Sequence, residues 1–184
     1  MIPVRDMTPA ELAAHIATHL RARGIEVVLS GGACVMIHSE AAYVSYDLDF
    51  VDERFAGRSR IRAAMAEIGF EEENRYYRHP DAEYLVEFPG GPVAVGREPA
   101  VRIDELMLRT GRLRLLSPTD CVKDRLVAYF HWSDRQSLLQ AALVAAAHVI
   151  ELAEVERWAS REGERDAYLG IRDRLVFRNG PNGT

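Results

Sequence analysis

Leu12, Ile16 and Leu20 stand four residues apart, which puts them on one face of a helix. Thr8-Pro9-Ala10-Glu11 ahead of them supplies an N-cap, a proline at the first helical position and a capping-box glutamate, and Gly24 ends the run. The period then changes. Residues 25–29 form a short β-branched apolar run, read as a strand, that opens into Ser30-Gly31-Gly32. Residues 33–37 predict a short helix leaving those glycines. In residues 46–51, Tyr46, Leu48 and Phe50 alternate with Asp47 and Asp49, the pattern of a strand with one apolar and one acidic face. Ser59 is placed to cap a helix carrying Ile61, Ala64, Met65 and Ile68, stopped by Gly69.

Residues 70–79 read as a single mixed strand. Residues 84–88 read as another, with Tyr84, Val86 and Phe88 alternating with Leu85 and Glu87 before Pro89-Gly90-Gly91-Pro92 closes it. Residues 101–116 admit either a helix or a strand before a final strand. Ser117-Pro118-Thr119-Asp120 is a second N-cap, and helical periodicity dominates residues 134–177. The order predicts an α+β chain: an α/β core over residues 1–116, a helical segment over 117–178 and a disordered tail over 179–184.

Composition narrows the function classes. The 184 residues carry 23 basic and 28 acidic side chains, a net charge of −5, which argues against a protein that coats nucleic acid by bulk charge. The most apolar stretch, residues 138–150, contains Gln140 and His148 and is too short and too polar to span a membrane. With no basic segment followed by an apolar run at the start, a cytoplasmic setting is expected, with Cys34 and Cys121 as free buried thiols. Of the basic residues, Lys123 alone is lysine, in a chain that otherwise uses arginine. That choice suits a site wanting a compact ammonium.

The chemistry concentrates on the acidic strand. Asp47 and Asp49 are two apart, so both carboxylates share a face. With 28 acids in 184 residues, about four acid-x-acid pairs arise by chance, so spacing alone decides little. Context decides more. The pair interrupts an apolar strand, where acids cost stability unless they have a role. Glu87, inside Val86-Glu87-Phe88, is a third acid of the same kind. If the two strands are neighbours, three carboxylates converge, a set able to hold two Mg²⁺ ions for in-line phosphoryl or nucleotidyl transfer. Gly31-Gly32 follows a strand and opens a helix, where backbone N–H groups favour an anion, and Ser30 adds a hydroxyl. His15 and His19 have helical i, i+4 spacing but no evident third ligand and read as packing.

Ser30-Gly31-Gly32, a 14-residue gap and Asp47-Leu48-Asp49-Phe50 together resemble the signature of the DNA polymerase β-like nucleotidyltransferase superfamily. The match is nearest to small AbiEii-type (abortive infection) members, whose C-terminal part reads like residues 116–126, followed by an Arg/Asp element such as Trp132-Ser133-Asp134-Arg135-Gln136. The resemblance spans residues 25–145. It implies a nucleotidyltransferase-like mixed β-sheet flanked by helices, with a small C-terminal helical segment. It also implies an enzyme that moves an NMP from an NTP to an acceptor hydroxyl on RNA, protein or a small molecule. Asp47, Asp49 and Glu87 would be catalytic and bind metal; Ser30, Gly31, Gly32, Lys123, Asp134 and Arg135 would contact the nucleotide. A toxin or abortive-infection role with an antitoxin or other operon partner follows by the same analogy. Residues 138–150 read as core or as a dimer interface, so a homo-oligomer is a separate expectation. The alternative is an NTP-binding or partner-binding subunit that has lost turnover. The chain departs from many relatives in having Tyr43-Val44-Ser45-Tyr46, with no basic residue, ahead of the acidic strand.

Overall fold

The computed structural model describes residues 2–176; the expected tail over 179–184 lies outside the described residues. A single 3₁₀ turn (Val4–Asp6) leads into α1 (Pro9–Arg21). The capping box forms as expected: Thr8 Oγ1 accepts from Glu11 N–H at 3.3 Å, and the Glu11 carboxylate accepts from Thr8 N–H at 3.0 Å. Leu12, Ile16 and Leu20 are buried on its inner face. Next come β1 (Val27–Ser30), α2 (Gly31–His38), β2 (Asp47–Asp52) and α3 (Arg58–Ala66). Gly57, not Ser59, precedes the first turn of α3.

The single strand expected over 70–79 is instead a hairpin, β3 (Glu71–Glu73) and β4 (Tyr76–Arg78). Asn74 turns it in the left-handed region at φ 60°, a conformation asparagine tolerates better than most residues. Strand β5 (Leu85–Glu87) follows, then a two-residue hairpin of β6 (Ala94–Val95) and β7 (Glu98–Pro99). The ambiguous stretch 101–116 is a β-hairpin, β8 (Ile103–Leu108) and β9 (Gly111–Leu116).

Seven strands form one mixed sheet in the order β3-β4-β5-β2-β1-β9-β8. β1 runs antiparallel to β2 and parallel to β9, and β2 runs parallel to β5. Leu48, Phe50 and Val86 are fully buried, which fixes the register, since a one-residue slip would turn each strand's apolar set outward.

Helices α4 (Pro118–Trp132), α5 (Arg135–Ala147), α6 (Leu152–Glu162) and α7 (Arg165–Leu169) complete the described chain, with a 3₁₀ turn at Arg172–Leu175. Ser117 caps α4 by accepting from Asp120 N–H at 3.2 Å. Helices α4 and α5 pack against α2, and α1 packs against α3 and the sheet. Cys121, Val122 and Leu126 of α4 belong to the same buried cluster as Leu29, Leu48 and Phe50 of the sheet, so the C-terminal helices share the core. No helix among the described residues is long and apolar enough to cross a membrane. Cys34 and Cys121 are buried free thiols, and burial pushes the Cys34 thiol well above its ordinary range.

Candidate active site

Strand register sets the site. Asp49 pairs with Ser30 of β1 on one side and with Glu87 of β5 on the other. Side chains opposite one another in adjacent strands share a face, so Ser30, Asp49 and Glu87 form one row across three strands, with Asp47 two residues back on the same face. The neighbourhood that the sequence left conditional is therefore present. The row continues to Tyr76 of β4, which pairs with Glu87.

Gly31 begins α2 immediately behind Asp49. Its φ is +66°, the left-handed region, and a Cβ there would overlap Asp49 Oδ2. A Cβ at Gly32 would sit 2.8 Å from Ser45 Oγ. Both glycines are thus required by close approach, and the first turn of α2 stands directly beside the carboxylate row. Ser30 makes no capping bond to α2; its hydroxyl donates to the Asp49 carbonyl at 3.4 Å.

Asp49 is a strained carboxylate. Burial, then the charges of Glu87 and Asp47, push its pKa from the usual 3.8 to about 6, and Arg125 opposes the rise. Glu87 is turned toward Arg75, whose Nε lies 3.5 Å from Oε1. The Arg75 guanidinium also rests over the Tyr76 ring, 4.8 Å from its centroid. As the side chains stand, no group of three or more His, Cys, Asp or Glu among the described residues is gathered closely enough to hold a metal ion. The donor chemistry nonetheless fits a hard dication: the side chains are all oxygen donors, and Asp49 carries a repulsion that a cation would relieve.

The nucleotide contacts expected from the C-terminal part divide differently. Lys123 does not face this row. Its Nζ is fully buried, 2.6 Å from Asp120 Oδ1 and 3.1 Å from Glu154 Oε1, and leaves no surface for a phosphate. The reason is helical phase: residues 123 and 125 lie two positions apart, about 200° around the helix, so they face opposite ways. Arg125 takes the position expected of Lys123. It is held by Asp124 and by Gln140 Oε1 at 3.4 Å, and its charge acts on Asp49. Sequence reasoning missed it because one arginine among 22 carries no compositional signal, although the burial pattern of α4 would have phased it.

Asp134 caps α5, accepting from Gln136 N–H at 2.9 Å and from the Ser137 hydroxyl at 2.6 Å, and these bonds hold its carboxyl below the usual range. Arg135 is exposed at the first position of α5. His19 Nε2 lies 2.9 Å from the Ala64 carbonyl, as packing predicts.

No family model matches the chain, and no curated protein matches its sequence. Solved structures do match. An antigenic nucleotidyltransferase-like protein from Paracoccidioides brasiliensis superposes with a TM-score of 0.62 at 14% identity, covering 96% of this chain and 97% of that one. The chain has a nucleotidyltransferase-like fold. The solution structure of the antibiotic-resistance factor ANT(2'')-Ia is also similar, with a TM-score of 0.54 at 14% identity over 86% of this chain and 93% of that one. At these identities the likeness is one of architecture.

Proposed function

We propose that this protein is a Mg²⁺-dependent nucleotidyltransferase that moves an NMP from an NTP to an acceptor hydroxyl. One observation carries the reading: the register that aligns Ser30, Asp49 and Glu87 in a row, with Asp47 beside them and the Gly31-Gly32 turn of α2 pressed against Asp49. The nucleotidyltransferase-like fold supports it.

In this reading the N–H groups at the start of α2 hold the triphosphate, and Ser30 assists from the cap position. Asp47 and Asp49, with Glu87, would hold Mg²⁺. When bound, the ion supplies charge neutralisation to the triphosphate and to the leaving pyrophosphate. Arg125 balances the negative charge at Asp49. The acceptor oxygen attacks the α-phosphorus, a new P–O bond forms, and the bond to the bridging oxygen of pyrophosphate breaks. The acceptor proton passes to the Glu87 carboxylate. Arg75, exposed over most of its side chain, is free to swing off Glu87 when this happens.

The motif resemblance to abortive-infection proteins adds a biological setting, a toxin restrained by an antitoxin partner. The test uses NTPs radiolabelled at the α-phosphate, Mg²⁺, and RNA, protein and low-molecular-weight extracts as acceptors, with Asp49→Ala as control. Label reaching an acceptor with the wild type alone supports the reading. Mg²⁺-dependent NTP binding without transfer selects a binding subunit instead, which the engagement of Glu87 by Arg75 would explain. Absence of NTP binding removes the site assignment.

A further inference from the structure

An arginine acts on each end of the carboxylate row. Arg125 acts on Asp49 from α4, and Arg75 stands against Glu87. The two are held differently. Arg125 is mostly buried and is tied by Asp124 and by Gln140. Arg75 is 69% exposed, and among the described residues Glu87 is its only ion-pair partner. That contact is loose, with Nε 3.5 Å from Glu87 Oε1.

The backbone of Arg75 is fixed while its side chain is not. It sits just past the β3–β4 turn, and that turn is anchored to α3. Arg58 Nη2 donates to the Asn74 carbonyl at 2.6 Å, and Arg58 Nε pairs with Glu72 at 2.6 Å. The guanidinium has a resting place apart from Glu87. It lies over the Tyr76 ring, 4.8 Å from the centroid, and donates to the Tyr76 hydroxyl. Tyr76 pairs with Glu87 across β4 and β5, so this resting place adjoins the row. The bond to Tyr76, then the charges of Glu87 and Asp47, raise the Arg75 pKa. Arg75 thus faces two of the three carboxylates, and Arg125 faces the third.

We infer that Arg75 is an electrostatic gate on the metal site: it holds positive charge on Glu87 until the nucleotide arrives, so the divalent ion enters with the triphosphate and not ahead of it. The inference rests on the nucleotidyl-transfer reading and deepens it. Glu87 is turned to Arg75, and among the described residues it does not gather with Asp47 and Asp49 as a ligand set. A free dication must displace the guanidinium or bind beside its charge. A triphosphate brings negative charge that offsets Arg75, so the same ion meets no net opposition when it comes with the nucleotide. An exposed single-contact ion pair is worth little, so the gate opens at low cost. Tyr76 then keeps the guanidinium beside the site.

The test reads metal binding and not turnover. Arg75→Ala and Arg75→Gln remove the charge, and Arg75→Lys keeps it. The affinity for free Mn²⁺ is measured by electron paramagnetic resonance. The affinity for the Mn²⁺ complexes of non-hydrolysable NTP analogues is measured by calorimetry, and melting temperature confirms that each variant is folded. Across one carboxylate in water, a unit charge weakens the binding of a dication by roughly three- to tenfold at low salt. The two neutral variants are therefore expected to bind free Mn²⁺ about three- to tenfold more tightly than the wild type at an ionic strength of about 0.01 M. The gain falls below about twofold near 1 M, where the charge is screened. Arg75→Lys stays within about twofold of the wild type, and the neutral variants gain nothing for the Mn²⁺–nucleotide complex.

Unchanged or weaker Mn²⁺ affinity in both neutral variants overturns the inference and leaves the nucleotidyl-transfer reading standing. So does an equal gain in Arg75→Lys, because charge would then not be the cause. An equal gain for the nucleotide complex also overturns it, because the order of entry would then be unaffected. Absence of both metal and nucleotide binding in the wild type, or Mn²⁺ binding that Asp49→Ala leaves intact, removes the underlying reading, and the inference with it.

Discussion

Replacing Lys123 by alanine separates a structural role from a phosphate-binding one. The ammonium is fully buried between Asp120 and Glu154, and Asp120 is itself 1% exposed. Removing one partner of a buried ion pair costs about 3–5 kcal/mol, because the other charge is left uncompensated. Partial compensation is visible in the surroundings. Asp120 Oδ2 still accepts from Arg102 N–H at 2.7 Å, and Glu154 keeps Arg157 at 2.6 Å. That places the cost near the lower bound, about 3 kcal/mol. At about 2–4 °C per kcal/mol for a chain of this size, the melting temperature falls by about 6–12 °C. The assay is thermal unfolding alongside NTP binding measured well below the transition, where the variant remains folded. The expected result is a large loss of stability with NTP affinity within about twofold of wild type. A melting temperature within about 2 °C of wild type together with a tenfold loss of NTP affinity would refute the buried-pair argument and restore Lys123 to the phosphate site.

Three further outcomes follow from the same geometry. Asp49 holds its proton more tightly folded, at about 6, than the usual 3.8, so between those pH values the folded chain binds the extra proton and stability falls as pH rises. The cost at neutral pH is about 3 kcal/mol; Asp49→Asn is therefore expected to be more stable than wild type above pH 6, to lose that pH dependence, and to abolish transfer, as chemical denaturation across pH and the label assay check. Arg125→Gln removes the charge that opposes the rise at Asp49, so the pH midpoint for Mg²⁺-dependent NTP binding shifts upward while melting shows the chain still folded. Gly31→Ala imposes a side chain in the left-handed region at about 1–2 kcal/mol and displaces the Asp49 carboxylate; NTP binding falls far more than stability, and equal NTP affinity in this variant would count against the α2 turn as anchor.

Legibility tracked the range of the interactions. Local signals carried through: the Thr8 and Ser117 caps, the alternation around Leu48 and Phe50, and the Gly-Gly opening of α2 all depend on neighbours within a few residues. Where a turn rested on a residue other than glycine or proline, the reading failed. Asn74 breaks residues 70–79 into β3 and β4, and this one turn-favouring residue was the sole local mark of the break in a run of glutamates and tyrosines. Residues 101–116 stayed ambiguous because β8 is an edge strand whose exposed face carries the apolar Met107 beside Leu106 and Leu108, so its sequence lacks clean alternation.

The site divides by the same logic, and this bears on how its cations should be sought. Asp47, Asp49, Gly31 and Gly32 are set by the alternation of one strand and by one turn, which are local, whereas Glu87 joins them only through the pairing of β2 with β5, which the sequence left conditional. Lys123 and Arg125 are set by the phase of α4 against two different partners, α6 and the sheet, and that phase depends on packing from residues 30 positions away. A lone lysine draws attention by its rarity, yet rarity says nothing about direction. Its burial against two acids fixes α4 in rotation, and that rotation turns Arg125 toward Asp49. On this argument Lys123 acts on the site only by holding the helix that presents Arg125. Lys123→Met with Asp120→Asn, which removes both charges of the closest pair, is then expected to recover much of the stability lost in Lys123→Ala, with NTP binding retained.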